Sequence, residues 1–238
     1  MLLLATVLSV VVAGATQRIT GIGFALVCAP LLVLTNGPIT GVLLANSLSL
    51  VTNLTVLVST WRQVDLRRVL LVAVPAVCVI PFGELAARQL PPRMLMVGIG
   101  ALVLAALAAV RLLRRAGIFA GKRGAVMAGA VSGFMNVTAG VGGPAVTLYA
   151  IGIRWPQASF VGSMQLYFAM LNATSIVVKG LPHVPPLTLG AVFGALALGL
   201  LLGEIGARFV PAEAARKAVI ALAAAGAAAT VLKGLGVL

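Results

Sequence analysis

Ten apolar runs follow one another along this chain, separated by short polar or glycine-rich turns. Runs of this length are typical of helices at membrane depth. The first and second runs of each set of five are short for a full membrane crossing, which requires about 20 residues. The runs cover residues 2–16, 21–35, 38–60, 66–90, 93–113, 123–138, 142–153, 156–178, 186–209 and 214–235.

The second set of five runs repeats the first set. An offset of 119 residues takes Gly14 to Gly133, and an offset of 120 takes Glu84 to Glu204. Because each half has an odd number of segments, the second half must enter the membrane from the opposite side. We therefore predict an all-α polytopic membrane protein, one membrane domain of two inverted-topology repeats that each begin with broken or re-entrant short helices. The predicted repeats cover residues 1–116 and 117–238.

Composition supports the membrane class and changes how the charge is interpreted. The 238 residues are 61% hydrophobic and 9% charged, with a mean hydropathy of +1.17, which is too apolar for a soluble domain. The net charge of +13 would indicate nucleic-acid binding in a soluble protein. Here the basic residues lie in short loops between apolar runs, so membrane topology explains them better, and no nucleic-acid partner is expected.

The basic loops also predict an orientation. If all ten runs cross, thirteen basic residues lie in loops on the side away from the N-terminus and four lie on the other side. The positive-inside rule then places both termini outside and the 111–123 loop in the cytoplasm. The sequence leaves assembly as a homodimer open.

Glycine clusters interrupt the beginning of each repeat. In lipid, a break in the helix is tolerated only where protein or a watery cavity surrounds it, and the exposed N-terminus of the following half-helix attracts anions. Close helix packing is the alternative role for these glycines, but their polar neighbours favour an anion site. The glycines are Gly21, Gly23, Gly140, Gly142 and Gly143, with Pro144 following. The polar neighbours are Gln17, Arg18, Thr20, Asn136 and Thr138.

Arg18 has two interpretations of equal weight. A cation at membrane depth costs about 2.5 to 3.5 kcal/mol on insertion scales, so it normally has a partner or a function. Its guanidinium would be a fork-shaped donor for a small oxyanion. Alternatively, it extends to the membrane interface at a turn between short helices.

Two further pairs of polar positions are duplicated. Asn46 and Asn53 share one helical face, and Gln165 and Asn172 repeat this pattern in the second set. These side-chain amides would bind either the substrate or a neighbouring helix, and the second role is slightly favoured because it is common in membrane helices. Glu84 and Glu204 each precede an arginine by four residues. A local ion pair is the favoured interpretation for both, and proton coupling is the weaker one.

Three stretches resemble the sulfite exporter TauE/SafE family of bacterial membrane permeases. They are G-I-G-F-A-L-V-C-A-P-L-L-V-L from Gly21, G-V-G-G-P-A-V-T-L-Y-A-I-G from Gly140 and P-P-R-M-L-M-V-G-I-G-A-L-V-L from Pro91. The resemblance implies a carrier for sulfite, thiosulfate, sulfoacetate or a related small anion in the bacterial inner membrane. It also places Phe24 with the glycines and Pro144 in the family's signature loops.

These observations predict a secondary transporter that exports or exchanges a small sulfur-containing oxyanion by alternating access, one repeat rocking against the other. A passive anion channel is the alternative, and an integral-membrane enzyme acting on lipid is a weaker one. The sequence contains no Walker A loop, metal-binding spacing or hydrolase elbow, so no catalytic residue, metal or cofactor is expected.

Overall fold

The computed structural model describes residues 2–20, 23–113 and 119–237, apart from the side chains of residues 18–20 and 212. Within these ranges the regular elements are ten α-helices and one short 3-10 turn, as the ten apolar runs predict. The helices are α1 (Leu2–Thr20), α2 (Phe24–Asn36), α3 (Pro38–Thr60), α4 (Leu66–Gln89), α5 (Pro92–Leu113), α6 (Gly121–Ala139), α7 (Gly143–Gly152), α8 (Gln157–Lys179), α9 (Pro186–Gly206) and α10 (Ala212–Gly234).

Six of the described helices are long and apolar enough to cross a membrane, namely α3, α4, α5, α8, α9 and α10. Each predicted repeat contributes three of them. The pairs α1–α2 and α6–α7 come first in their repeats, and α2 and α7 have only 13 and 10 residues. The all-helical, polytopic membrane class is therefore confirmed, and the second helix of each half is short, as predicted. The first helix of each half is longer than its predicted run, since α1 and α6 have 19 residues each.

Prolines begin several helices and a glycine ends one, although Pro30, Pro75 and Pro81 lie inside α2 and α4. Proline occupies the first turn of α3, α5, α7 and α9, where its missing N–H is not needed by the helix. Gly140 follows α6 in the left-handed conformation, with φ 71°, which only glycine adopts without strain. The sequence thus ends and restarts the helices with local backbone chemistry.

One compact unit consists of Met1–Leu48, Pro91–Leu104 and Pro182–Leu238. Inside it α1 packs against α9 and α2, and α10 packs against α2. The α1–α9 crossing is close because a Cβ atom on Gly14 would lie 3.2 Å from the Gly199 Cα. We call this unit 1.

The second compact unit, unit 2, consists of Ser49–Leu90 and Ala105–Leu181. Inside it α4 packs against α6 and α8, and α6 packs against α7. A Cβ atom on Gly133 would overlap the Ala76 carbonyl group of α4. Gly14 and its copy Gly133 therefore have the same structural role, because each allows two helices to cross closely.

Each unit combines helices from both predicted repeats. In unit 1 the first helix of one repeat packs on the fourth helix of the other, and in unit 2 α6 and α4 form the equivalent pair. Equivalent pairings support a duplicated chain whose halves interleave. The repeat boundary between residues 116 and 117 stays a prediction.

Candidate functional site

The break between α6 and α7 in unit 2 is built on glycine. The N–H of Gly140 donates to the Asn136 carbonyl at 2.9 Å and ends α6. The Ser132 hydroxyl then donates to the Gly142 carbonyl at 2.6 Å. A Cβ atom on Gly142 would lie 2.7 Å from the Ser132 Oγ, so any side chain at this position would force Ser132 to move.

This break leaves the N-terminus of α7 inside the protein. Gly142, Pro144, Ala145 and Val146 are buried. Within the described part of the chain, the N–H groups of Gly143 and Ala145 donate no hydrogen bond to protein. Unpaired amide donors at the positive end of a helix dipole form a favourable environment for an anion.

Asn136 connects α6 to α8. Its amide nitrogen donates to Asn172 Oδ1 at 3.0 Å, and its Oδ1 accepts from the Ser175 hydroxyl at 2.8 Å. All three side chains are buried. The interhelical interpretation is therefore confirmed for Asn172, while Thr138 uses its hydroxyl locally, on the Phe134 carbonyl at 2.7 Å.

Two buried polar groups on α8 have no hydrogen-bond partner in the described chain. They are the Gln165 side-chain carbonyl oxygen and the Tyr167 hydroxyl. Tyr167 is completely buried, and its hydroxyl faces Ser132 without reaching hydrogen-bond geometry. A buried polar atom without a partner is uncommon and marks a place where a ligand or water could bind.

The break between α1 and α2 in unit 1 is arranged differently. Gly23 precedes α2 with φ 156°, and the first N–H of α2, on Phe24, donates to Gln17 Oε1 at 2.9 Å. The chain thus caps this helix with its own amide. Gly21 and the side chains of Arg18 and Thr20 lie outside the described residues, so their predicted roles stay predictions.

The polar face of α3 also carries an unpaired amide. Asn46 is completely buried, and neither its Oδ1 nor its Nδ2 has a partner among the described residues. The Ser49 hydroxyl, one turn along, is in the same situation. Asn53 is buried as well. Asn46 and Gln165 occupy equivalent positions in the two repeats, and both carry an unused side-chain acceptor.

Glu84 is part of an ion cluster in unit 2. Its Oε1 lies 2.7 Å from Arg88 Nε, which is the expected i,i+4 pair, and its Oε2 lies 2.9 Å from Lys179 Nζ on α8. The Lys179 side chain is only 4% exposed, whereas that of Arg88 is 60% exposed. Glu204, the copy of Glu84, is exposed. The proton-coupling role of either carboxylate stays a prediction.

Four residues of this region were missed by the sequence reasoning, namely Ser132, Tyr167, Ser175 and Lys179. Three of them have an apolar residue at the equivalent position of the first repeat: Ala13, Leu48 and Val56. A polar residue that only one copy of a repeat carries is therefore the signal that could have found them.

Comparison with known families gives one match. The model of the sulfite exporter TauE/SafE family matches residues 6–230, which is nearly the whole chain. No curated protein and no solved structure matches the chain.

Proposed function

Because this chain belongs to the sulfite exporter TauE/SafE family, a family of membrane transporters, we propose that it moves a small sulfur-containing oxyanion by alternating access. The substrate class is sulfite, thiosulfate or sulfoacetate, exported or exchanged. The observation that carries this proposal is the buried N-terminus of α7, whose Gly143 and Ala145 N–H groups are free to bind an acceptor.

Neutral amide donors suit a carrier. An oxyanion that leaves water must exchange its hydration for hydrogen bonds in the protein, and a helix N-terminus supplies several at once. Binding must also be weak enough to release the anion on the other side. Donors that are not full charges meet both needs.

The proposed site centres on Gly142, Gly143 and Pro144 in unit 2. Asn136 and Asn172 hold α6 on α8 beside it through their mutual hydrogen bond. The other predicted substrate contacts are proposed from the sequence pattern alone. They are Gln17, Arg18, Thr20, Gly21, Gly23, Phe24, Asn46, Asn53, Thr138, Gly140 and Gln165.

The protein is a multi-pass membrane protein. We propose the bacterial inner membrane as its location, with both termini outside and the 111–123 loop in the cytoplasm, because the basic residues are concentrated in loops on one side. Its proposed partners are the small anion, the lipid bilayer and a second copy of the chain.

Flux into proteoliposomes tests this function. Purified protein is reconstituted, and uptake of sulfite, thiosulfate, sulfoacetate, sulfate and chloride is measured with and without a proton gradient. We expect saturable flux of at least one sulfur oxyanion that responds to a trans anion or to the proton gradient. Steady current without such dependence would indicate a channel, and saturable flux of none would overturn the proposal.

Two glycine variants test whether the flux depends on the break between α6 and α7. Gly142→Ala places a methyl group against Ser132, whereas Gly98→Ala on α5 meets no atom within 4 Å. We expect at least a tenfold loss of flux from Gly142→Ala and none from Gly98→Ala, with both proteins still folded by thermal unfolding. Equal flux in the two variants would show that transport does not depend on this break.

A further inference from the structure

We propose that the Tyr167 hydroxyl is an anion-binding donor at the N-terminus of α7, where it would select oxyanions. This inference rests on the proposed function, since it assigns a specificity-determining residue to the same site. Tyr167 lies on α8 in unit 2 and was not among the residues that the sequence pattern indicated.

Two contacts place Tyr167 at the break. Its hydroxyl faces Ser132, and the Ser132 Oγ is hydrogen-bonded to the carbonyl of Gly142, the residue that precedes α7. Its ring also meets the Phe168 ring edge-on, with 5.0 Å between the ring centroids. The Phe168 Cζ in turn lies 3.9 Å from the position that a Cβ atom on Gly143 would take.

The hydroxyl proton of Tyr167 is available. The residue is completely buried, and its oxygen has no hydrogen-bond partner in the described chain. Ser132 gives its own proton to Gly142, so it is not a donor to Tyr167. A buried hydroxyl with no partner destabilises the empty protein, and a ligand that accepts its proton would remove that penalty.

The three donors define the ligand by chemistry. The N–H groups of Gly143 and Ala145 and the Tyr167 hydroxyl are neutral donors, so they fit a ligand with more than one acceptor oxygen. A small oxyanion such as sulfite meets this requirement, whereas a halide offers no separate oxygens in a fixed geometry. Tyr167 would therefore contribute to discrimination against chloride as well as to affinity.

The first repeat supports this assignment by contrast. At the position equivalent to Tyr167 it has Leu48, and at the position equivalent to Ser132 it has Ala13. In that repeat the Gln17 side chain already occupies the first N–H of α2. The hydroxyl is thus present in the repeat whose helix N-terminus lacks a protein cap.

Tyr167→Phe tests the proposal, with Tyr149→Phe as the matched control. These are the two tyrosines of the chain, and both rings are buried. Tyr149 lies toward the C-terminal end of α7, where its ring packs edge-on against Trp155 with 6.3 Å between the ring centroids. Thermal unfolding of each purified protein is followed in detergent, in a chloride-free buffer, with increasing sulfite, thiosulfate or sulfoacetate.

We expect Tyr167→Phe to unfold at the same or a higher temperature than the wild type without anion. Its Kd for the bound anion should rise about tenfold or more, because a hydrogen bond to a charged ligand is lost. Its preference for that anion over chloride should fall. Tyr149→Phe should match the wild type in all three respects.

Wild-type affinity in Tyr167→Phe would overturn the proposal and leave the proposed function standing. A marked loss of thermal stability without anion would also overturn it, since the hydroxyl would then have a structural partner. Absence of binding and flux for every anion in the wild type would remove the proposed function itself.

A second measurement avoids dependence on one substitution. In the Tyr149→Phe background Tyr167 is the single tyrosine, so incorporation of fluorotyrosine alters it alone. Ring fluorination makes the phenol a stronger donor with almost no change in shape. We expect the Kd for the oxyanion to fall severalfold, and an unchanged Kd would contradict the assignment.

Discussion

The two helix breaks occupy equivalent places in the repeat but are completed in different ways. At the first break Gln17 caps Phe24, the first residue of α2. At the second, the equivalent residue Asn136 is directed to α8 and bonds Asn172 and Ser175. The N-terminus of α7 consequently keeps its donors.

This difference shows that duplication copied the backbone break but not its chemistry. The amide at this position bonds the first N–H of the following helix in one repeat and joins two helices in the other, depending on whether a neighbouring helix offers partners. Ser175 has Val56 as its counterpart, so the first repeat lacks one of the two groups that hold Asn136. The two repeats therefore share the helix break but differ in the side chains around it.

The largest effect is expected at the ion cluster of Glu84, where the two repeats also differ. Glu84 is buried and paired, whereas its copy Glu204 is exposed. Removing the buried Lys179 ammonium leaves the buried Glu84 carboxylate with only the largely exposed Arg88 guanidinium as its partner, so Lys179→Met should lower the free energy of unfolding by about 3 kcal/mol. Arg88→Met should cost about 1 kcal/mol or less because solvent screens the exposed guanidinium. Denaturant titrations measure both values. Equal losses of unfolding free energy in the two variants would contradict the difference in burial between Lys179 and Arg88.

A smaller effect is expected at the second break. Asn136→Ala removes two buried hydrogen bonds and should destabilise the protein by about 2 kcal/mol. Thr174→Ala on α8, whose hydroxyl bonds only its own helix at Met170, is the control. A double-mutant cycle with Ser175→Ala should give a coupling energy of about 0.5 kcal/mol or more. Additive losses would mean that Asn136 does not join the helices.

The smallest effect is expected at the first break. Gln17→Ala removes the cap from Phe24 and should cost about 1 kcal/mol, as loss of a helix cap usually does. Ser9→Ala on the exposed face of α1 should leave thermal unfolding unchanged. If Gln17→Ala destabilised the protein as much as Asn136→Ala, the two breaks would not differ in the way described.

The backbone features of the site could be predicted from sequence because their causes are local. Gly140 and Gly142 are required by a positive φ and by the closeness of Ser132, and the spacing of the copies located both breaks. The pairing of Glu84 with Arg88 is similarly local, since four residues make one helical turn.

The side-chain partners could not be predicted because they depend on which helices are neighbours. Nothing near Glu84 in sequence indicates Lys179, which reaches it from α8. Tyr167 reads as an ordinary aromatic residue in an apolar run until the packing of α8 places it beside Ser132. Asn136 and Gln17 look alike in the sequence, and only the presence of α8 beside α6 separates them.

The composition of unit 1 has a consequence for biosynthesis. Its helices α1 and α2 pack against α9 and α10, which the ribosome makes only after the segments of unit 2 are complete at residue 181. The first helical hairpin must therefore wait in the membrane while most of the protein is synthesised. The bond from Phe24 to Gln17 joins residues seven apart, so it needs no distant partner. It can satisfy the first N–H of α2 from the moment that both helices have left the translocon.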